Sequence, residues 1–156
     1  MRRDGAVVDE RYFGGGAADV PAEAFSVTKS ITSMLVGIAQ DEGDLATAQP
    51  AADFIPEWAG TPSADVSVEE LLSNASGRQW SLGLDYSELI RAPDKNAFAI
   101  GLGQDVPPGE TWAYNNSAIQ TLSAVLEEAT GGSPSDLAER ALFEPIGMDD
   151  SAMSTD

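Results

Sequence analysis

Residues 24–45 read "AFSVTKSITSMLVGIAQDEGDL". Val27, Ile31, Met34, Leu35 and Ile38 recur at helical spacing and Gly43 supplies a stop, so a helix is expected from near Ser26 to Gly43. At about 100° per residue these five apolar residues share one side of the wheel, while Ser26, Lys29, Ser30, Ser33 and Gly37 share the other. A solvent face ordinarily carries Glu, Lys or Gln. A small, polar face suits a helix that another part of the molecule approaches closely.

Positions i and i+3 of a helix lie one above the other, so the Lys29 amine is within reach of the Ser26 hydroxyl. A nucleophile and its base require that geometry. A free lysine titrates near 10.4, so a neutral amine at pH 7 needs about 4 kcal/mol from its surroundings. Burial and the positive end of the same helix both act in that direction. The helix start also aims a backbone N–H, that of Ser26 or its neighbour, at any oxyanion formed there. The plainer alternative makes Ser26 a helix cap and Lys29 a surface residue.

Composition narrows the chemistry. The 156 residues are 42% hydrophobic, enough for one domain and short for two. We read 1–156 as a single, truncated domain, with a partial sheet hairpin and loop over 1–25 and a mainly helical part over 26–156. There is no cysteine and no histidine. A Ser-His-Asp triad, a thiol nucleophile and imidazole metal ligation are therefore excluded, and acid–base work falls to carboxylates, lysine or tyrosine. The formal net charge of −18 argues against nucleic acid and anionic membranes as partners. It fits either a solvated surface or adaptation to high salt, where ions screen carboxylate repulsion. Neither a membrane span nor a signal peptide is visible; a cytoplasmic location would follow if Met1 is the true start.

Along the chain, Asp4-Gly5 signals a type I′ hairpin turn ahead of a strand over Ala6 to Phe13. Ser67 with Glu70 forms a capping-box pattern that opens a short helix through Leu71 and Leu72. "DYSELI" and "DKNAFAIG" read as short helical pieces split by Pro93. Ile119, Leu122, Val125 and Leu126 mark a helix closed by Gly131-Gly132. Ser133-Pro134 caps another, running to about Phe143 and stopped by Pro145. Trp58, Trp80 and Trp112 are read as core or rim. One strand with half a partner makes no free-standing sheet, so the chain reads as the front part of a larger α/β design or as a variant that has lost its end.

These landmarks resemble a known family. "FSVTKS" followed by "MLVGIAQDEGDL" is similar to the Ser-x-x-Lys helix of the serine β-lactamases and penicillin-binding proteins, above all the class C-like branch with its esterases and D-amino-peptidases. "VEELLSNASG" looks like the segment ahead of the family's cleft. "VPPGETWAYNNSAIQTLSAVLEEATGGS" resembles its Tyr-x-Asn motif, with Pro-Gly before and a helix behind. "LFEPIGMDD" resembles its Pro-Leu-Gly-Met stretch, with Ile146 in place of Leu. The order is the family's order, over nearly the whole chain.

The resemblance implies an α+β, β-lactamase/transpeptidase-like fold, mostly its helical region with an incomplete antiparallel sheet. It implies Ser26 as the acylated nucleophile, Lys29 as its partner, Tyr114 as the second proton-transfer residue and Asn116 as a substrate ligand. Tyr86, in "LDYSELIRAPDKNAFAIG", is expected to line the cleft, in a segment that resembles the aminohexanoate-oligomer hydrolase and esterase branch. Tyrosine and lysine titrate near 10 and 10.4, so side by side they share a proton as a coupled pair and do histidine's work. Tyr114-Asn115-Asn116 also fits a turn that caps the next helix, with Asn116 as N-cap. No metal or organic cofactor is required.

The family's third motif, Lys or His followed by Thr or Ser and Gly, has no match in 1–156: Lys95, the only other lysine, precedes Asn96. Two functions are compatible with this. One is a serine hydrolase acting on small-molecule esters, amides or β-lactams; the other is an inactive homologue serving as a binding or interaction module. Apolar helix faces left uncovered are expected to drive self-association.

Overall fold

The computed structural model describes residues 1–154. Strands β1 (Arg2–Arg3) and β2 (Ala6–Val7) pair antiparallel in the register Arg2↔Val7 and Arg3↔Ala6. The turn between them has φ 49° at Asp4 and 82° at Gly5, the two positive angles a type I′ turn requires. The expected strand to Phe13 is corrected to two residues. Positions 1–28 are all exposed, so no buried face supports a longer ladder among the described residues.

A 3₁₀ turn over Phe25–Val27 leads into α1 (Thr28–Glu42), which ends on Gly43 at φ 88°. The buried stripe of α1 is Leu35, Val36 and Ala39, flanked by half-buried Ile31 and Ile38. Here the wheel is corrected. Val27 and Met34 are 63% and 52% exposed, because the covering helices sit on the 35/39 side of the arc. Nor does any group crowd Gly37, where an added Cβ would meet nothing within 4 Å among the described residues.

The other helices are α2 (Val68–Leu72), α3 (Leu89–Arg91), α4 (Lys95–Gly101), α5 (Asn116–Gln120), α6 (Leu122–Thr130), α7 (Pro134–Ala138) and α8 (Glu144–Ile146). Ser67 and Glu70 close the expected capping box of α2. Wide, π-type turns span Leu84–Glu88 and Glu139–Phe143. Pro145 does not stop the last helix, as the sequence suggested; the chain stays helical to Ile146, and Gly147 at φ 70° ends it.

Helix α1 packs against α6, α7 and the wide turn after α7, so that Leu35, Val36 and Ala39 meet Leu122, Val125, Leu126, Leu137 and Phe143 in one cluster. Each large apolar side chain fully buried there contributes about 1.5–3 kcal/mol. Trp58 extends the cluster under the loop between α1 and α2, and donates its Nε1–H to the Ile100 carbonyl at 3.1 Å. The face of its ring takes the guanidinium of buried Arg78, 4.2 Å from the centroid. Arg78 also donates to Ser63 Oγ at 2.6 Å and to the carbonyls of Ala99 and Ile100 at 2.7 and 3.1 Å. Burial lowers its pKa to about 10. This arginine ties the loop behind α2 to the end of α4. Among the described residues no helix is long and apolar enough to cross a membrane.

Candidate active site

The nucleophile candidate stands where an irregular backbone meets a long helix. Phe25 holds a positive φ of 46°, rare outside glycine, and the following 3₁₀ turn presents Ser26 on the surface. One turn on, the half-buried Lys29 donates from Nζ to Ser26 Oγ at 3.3 Å, the i to i+3 reach expected from the sequence. Tyr114 arrives from 88 positions away and donates its hydroxyl to the same Oγ at 2.8 Å. Lys29 Nζ lies 5.1 Å from the centroid of the Tyr114 ring.

These contacts act on the phenol. Once the phenol ionises, the Ser26 hydroxyl can donate to its oxygen, and this hydrogen bond is the main cause that holds the Tyr114 pKa below its ordinary value; desolvation opposes it, the hydrogen bond and positive charge of Lys29 add to it, and the charge of Asp85 works against it. The result favours tyrosinate over phenol relative to a free tyrosine.

Two grooves meet at this point. One, of about 840 Å³, is lined by Ser26, Lys29, Tyr86, Asn116 and Ile90 and runs toward Asp94. The other, of about 450 Å³, is lined by Ser26, Lys29, Ser30, Ser33, Asn74 and Tyr114. The small polar face of α1 therefore forms a groove floor. Tyr86, 53% exposed, stands in the wall of the first groove.

The loop that delivers Tyr114 is fixed by residues the sequence did not single out. Asn74 is left-handed, φ 60°, and accepts Ala113 N–H on its carbonyl at 3.0 Å and Asn115 N–H on Oδ1 at 3.1 Å. The N-cap of α5 is Asn115, not Asn116: its Oδ1 accepts Ala118 N–H at 2.8 Å and its Nδ2 donates to the Arg78 carbonyl at 3.2 Å. Asn115 is buried, whereas Asn116 opens onto the first groove, so the two adjacent asparagines divide structure and cleft between them. Asp85, 1% exposed, accepts Asn116 N–H at 2.6 Å, Ser117 N–H at 3.1 Å, Ser117 Oγ–H at 2.7 Å and Trp80 Nε1–H at 3.1 Å. Its only sequence signal was its place beside Tyr86.

The chain is similar to several known proteins. A penicillin-binding protein of Bacillus subtilis is 24% identical over 139 residues, covering 82% of this chain and 29% of its own length. A D-aminopeptidase of Cereibacter sphaeroides is 28% identical over an alignment of 173 positions, covering 99% of this chain and 32% of its own. A solved D-alanine carboxypeptidase from Burkholderia cenocepacia superposes with a TM-score of 0.63 at 30% identity, over 80% of this chain and 33% of that one. The chain thus spans about a third of the relatives it matches, and its fold is β-lactamase/transpeptidase-like. Residues 1–156 match the family described as β-lactamase from end to end, and the chain belongs to that family.

Proposed function

We infer that this chain carries the acylating centre of a serine hydrolase that acts on small-molecule esters, amides or β-lactams. Ser26 Oγ attacks the substrate carbonyl and its proton passes to the Lys29–Tyr114 pair. The carbonyl oxygen becomes an oxyanion opposite a backbone N–H. Val27 N–H is committed to the Ala24 carbonyl at 3.1 Å, so the N–H of Ser26 is assigned that role. The carbon–leaving-group bond then breaks, the pair returns the proton to the leaving group, and the acyl group remains on Ser26. Water then attacks the acyl carbon and loses its proton to the same pair; the bond to Ser26 Oγ breaks, the pair returns the proton to Oγ, and the acid leaves. Asn116 and Tyr86 hold the substrate in the first groove.

One observation carries this reading: the convergence of Lys29 Nζ and Tyr114 Oη on a single serine oxygen, at 3.3 and 2.8 Å. Either contact alone suits a surface helix; both together suit a nucleophile with its proton acceptor. No Lys- or His-led third motif occurs in 1–156.

The test is intact mass after incubation with a penicillin and with a nitrophenyl ester, beside Ser26→Ala and Lys29→Ala. An acyl adduct on the parent chain, lost in both variants, is the expected result. An adduct that persists in Ser26→Ala would refute the assignment.

A further inference from the structure

Asp85 remains outside that mechanism. It sits in the wide turn Leu84–Glu88, where one residue points into the protein and the next, Tyr86, points into the groove. Its donors are the N–H groups of Asn116 and Ser117, the Ser117 hydroxyl and the Trp80 indole, and no Lys or Arg pairs with it among the described ion pairs. The two backbone donors belong to the first turn of α5, whose N–H groups lack intrahelical partners at any helix start. Tyr114 lies two residues before the first of them.

We propose that Asp85 is a positioning residue: it locks the start of α5, and through that turn sets the Tyr114 hydroxyl on Ser26 and Asn116 on the groove. The proposal rests on the reading of Tyr114 as the proton-transfer partner of Ser26. Geometry favours a specific role over simple packing. A buried carboxylate is a demanding way to cap a short helix that already has Asn115 as its N-cap. It adds a second, independent anchor at the residue that carries the groove-facing amide. Trp80, outside α5, donates to Oδ2, the oxygen that also accepts Asn116 N–H, so Asp85 has little freedom to move with a displaced α5.

The chain has three tyrosines, so Tyr12→Phe/Tyr86→Phe leaves Tyr114 as the only titrating phenol. In that background an ultraviolet titration is run with and without Ser26→Ala, and the pair is repeated with Asp85→Ala and with Asp85→Asn. The ionisable groups acting on Tyr114 are Lys29 and Asp85. The charge lost with Asp85 enters both members of each pair and cancels in their difference. With Asp85 in place, Ser26→Ala is expected to raise the Tyr114 midpoint, since the Ser26 hydrogen bond is the main cause of its lowering. With Asp85→Ala the two residues no longer meet, and Ser26→Ala should leave the midpoint unmoved.

An equal rise in both backgrounds would overturn the proposal. If Asp85→Ala does not fold, Asp85→Asn decides: it keeps the shape but turns amide hydrogens toward two donors, so the rise should shrink by at least half, and an undiminished rise refutes the role. This readout needs no substrate. Failure of the parent to acylate would therefore strike the hydrolase reading and leave the positioning role standing or falling on its own titration.

Discussion

Asn74 Oδ1 accepts the backbone N–H of Asn115 at 3.1 Å, a contact across 41 positions that fixes the cap of α5 from the loop behind α2. Asn74→Ala removes the acceptor and places a residue with a poor left-handed conformation at φ 60°. A loss of about 1–3 kcal/mol is expected from the stranded N–H. Asn74→Gly, which tolerates the backbone angle, should lose less. Chemical denaturation of the two variants side by side checks the order.

Tyr114→Phe should slow acylation of Ser26 by about 10²–10⁴-fold, the usual range for a positioned proton-transfer group. Its circular dichroism should be unchanged, since the hydroxyl is no part of the core. The pH sign comes from the lowered phenol. A group ionised more easily when folded stabilises the fold fully above its unfolded value of about 10 and loses that contribution as pH falls through the lowered value. Parent and Tyr114→Phe should therefore show the same pH dependence of stability near neutrality, and the parent should gain on the variant only in alkaline solution. A difference that grows toward acid pH would contradict the assignment.

Gly77 is the least replaceable glycine of the loop behind α2. Its φ is 67°, and a Cβ there would lie 2.2 Å from the Val106 carbonyl and 3.0 Å from that of Pro107. Both obstacles are backbone, so the loop must move. Gly77→Ala is expected to destabilise the protein by about 2–4 kcal/mol, seen as a lower midpoint in denaturant, because overpacking and strain add.

The exposed Val27 and Met34 lie on one edge of α1 and carry no part of the core. Val27→Ser/Met34→Gln should leave thermal stability within about 0.5 kcal/mol of the parent. If uncovered apolar surface drives self-association, the same pair should shift sedimentation toward the monomer. An unchanged oligomer distribution would remove this edge of α1 from that account.

The features legible in the sequence and those hidden in it divide along one physical line. Ser26 and Lys29 were legible because a helix fixes i and i+3 locally, and Gly43 because a positive φ at a helix end favours glycine. Tyr114 became legible only through resemblance, since nothing local states which serine a tyrosine 88 positions away will meet. Asp85, Asn74 and Arg78 stayed hidden for the same reason: each acts on backbone groups far along the chain, and a carboxylate, an amide or a guanidinium looks the same on a surface as in an interior. The swap of Asn116 for Asn115 as the cap shows the limit of local rules. Either amide satisfies the N-cap preference, and the choice falls to the pocket that Arg78 and Gln79 carbonyls make for the buried one.

The wide turn at Leu84–Glu88 makes length, rather than composition, the constraint on this segment. Such a turn holds one residue more than an α-helical turn, and removing it would rotate the chain on its N-terminal side by about 100° relative to the chain on its C-terminal side. Asp85 would leave the interior and Tyr86 the groove together. Sequence drift can therefore rework the exposed positions of "LDYSELI" one at a time, while a single-codon deletion would undo an anchor and a cleft wall at once.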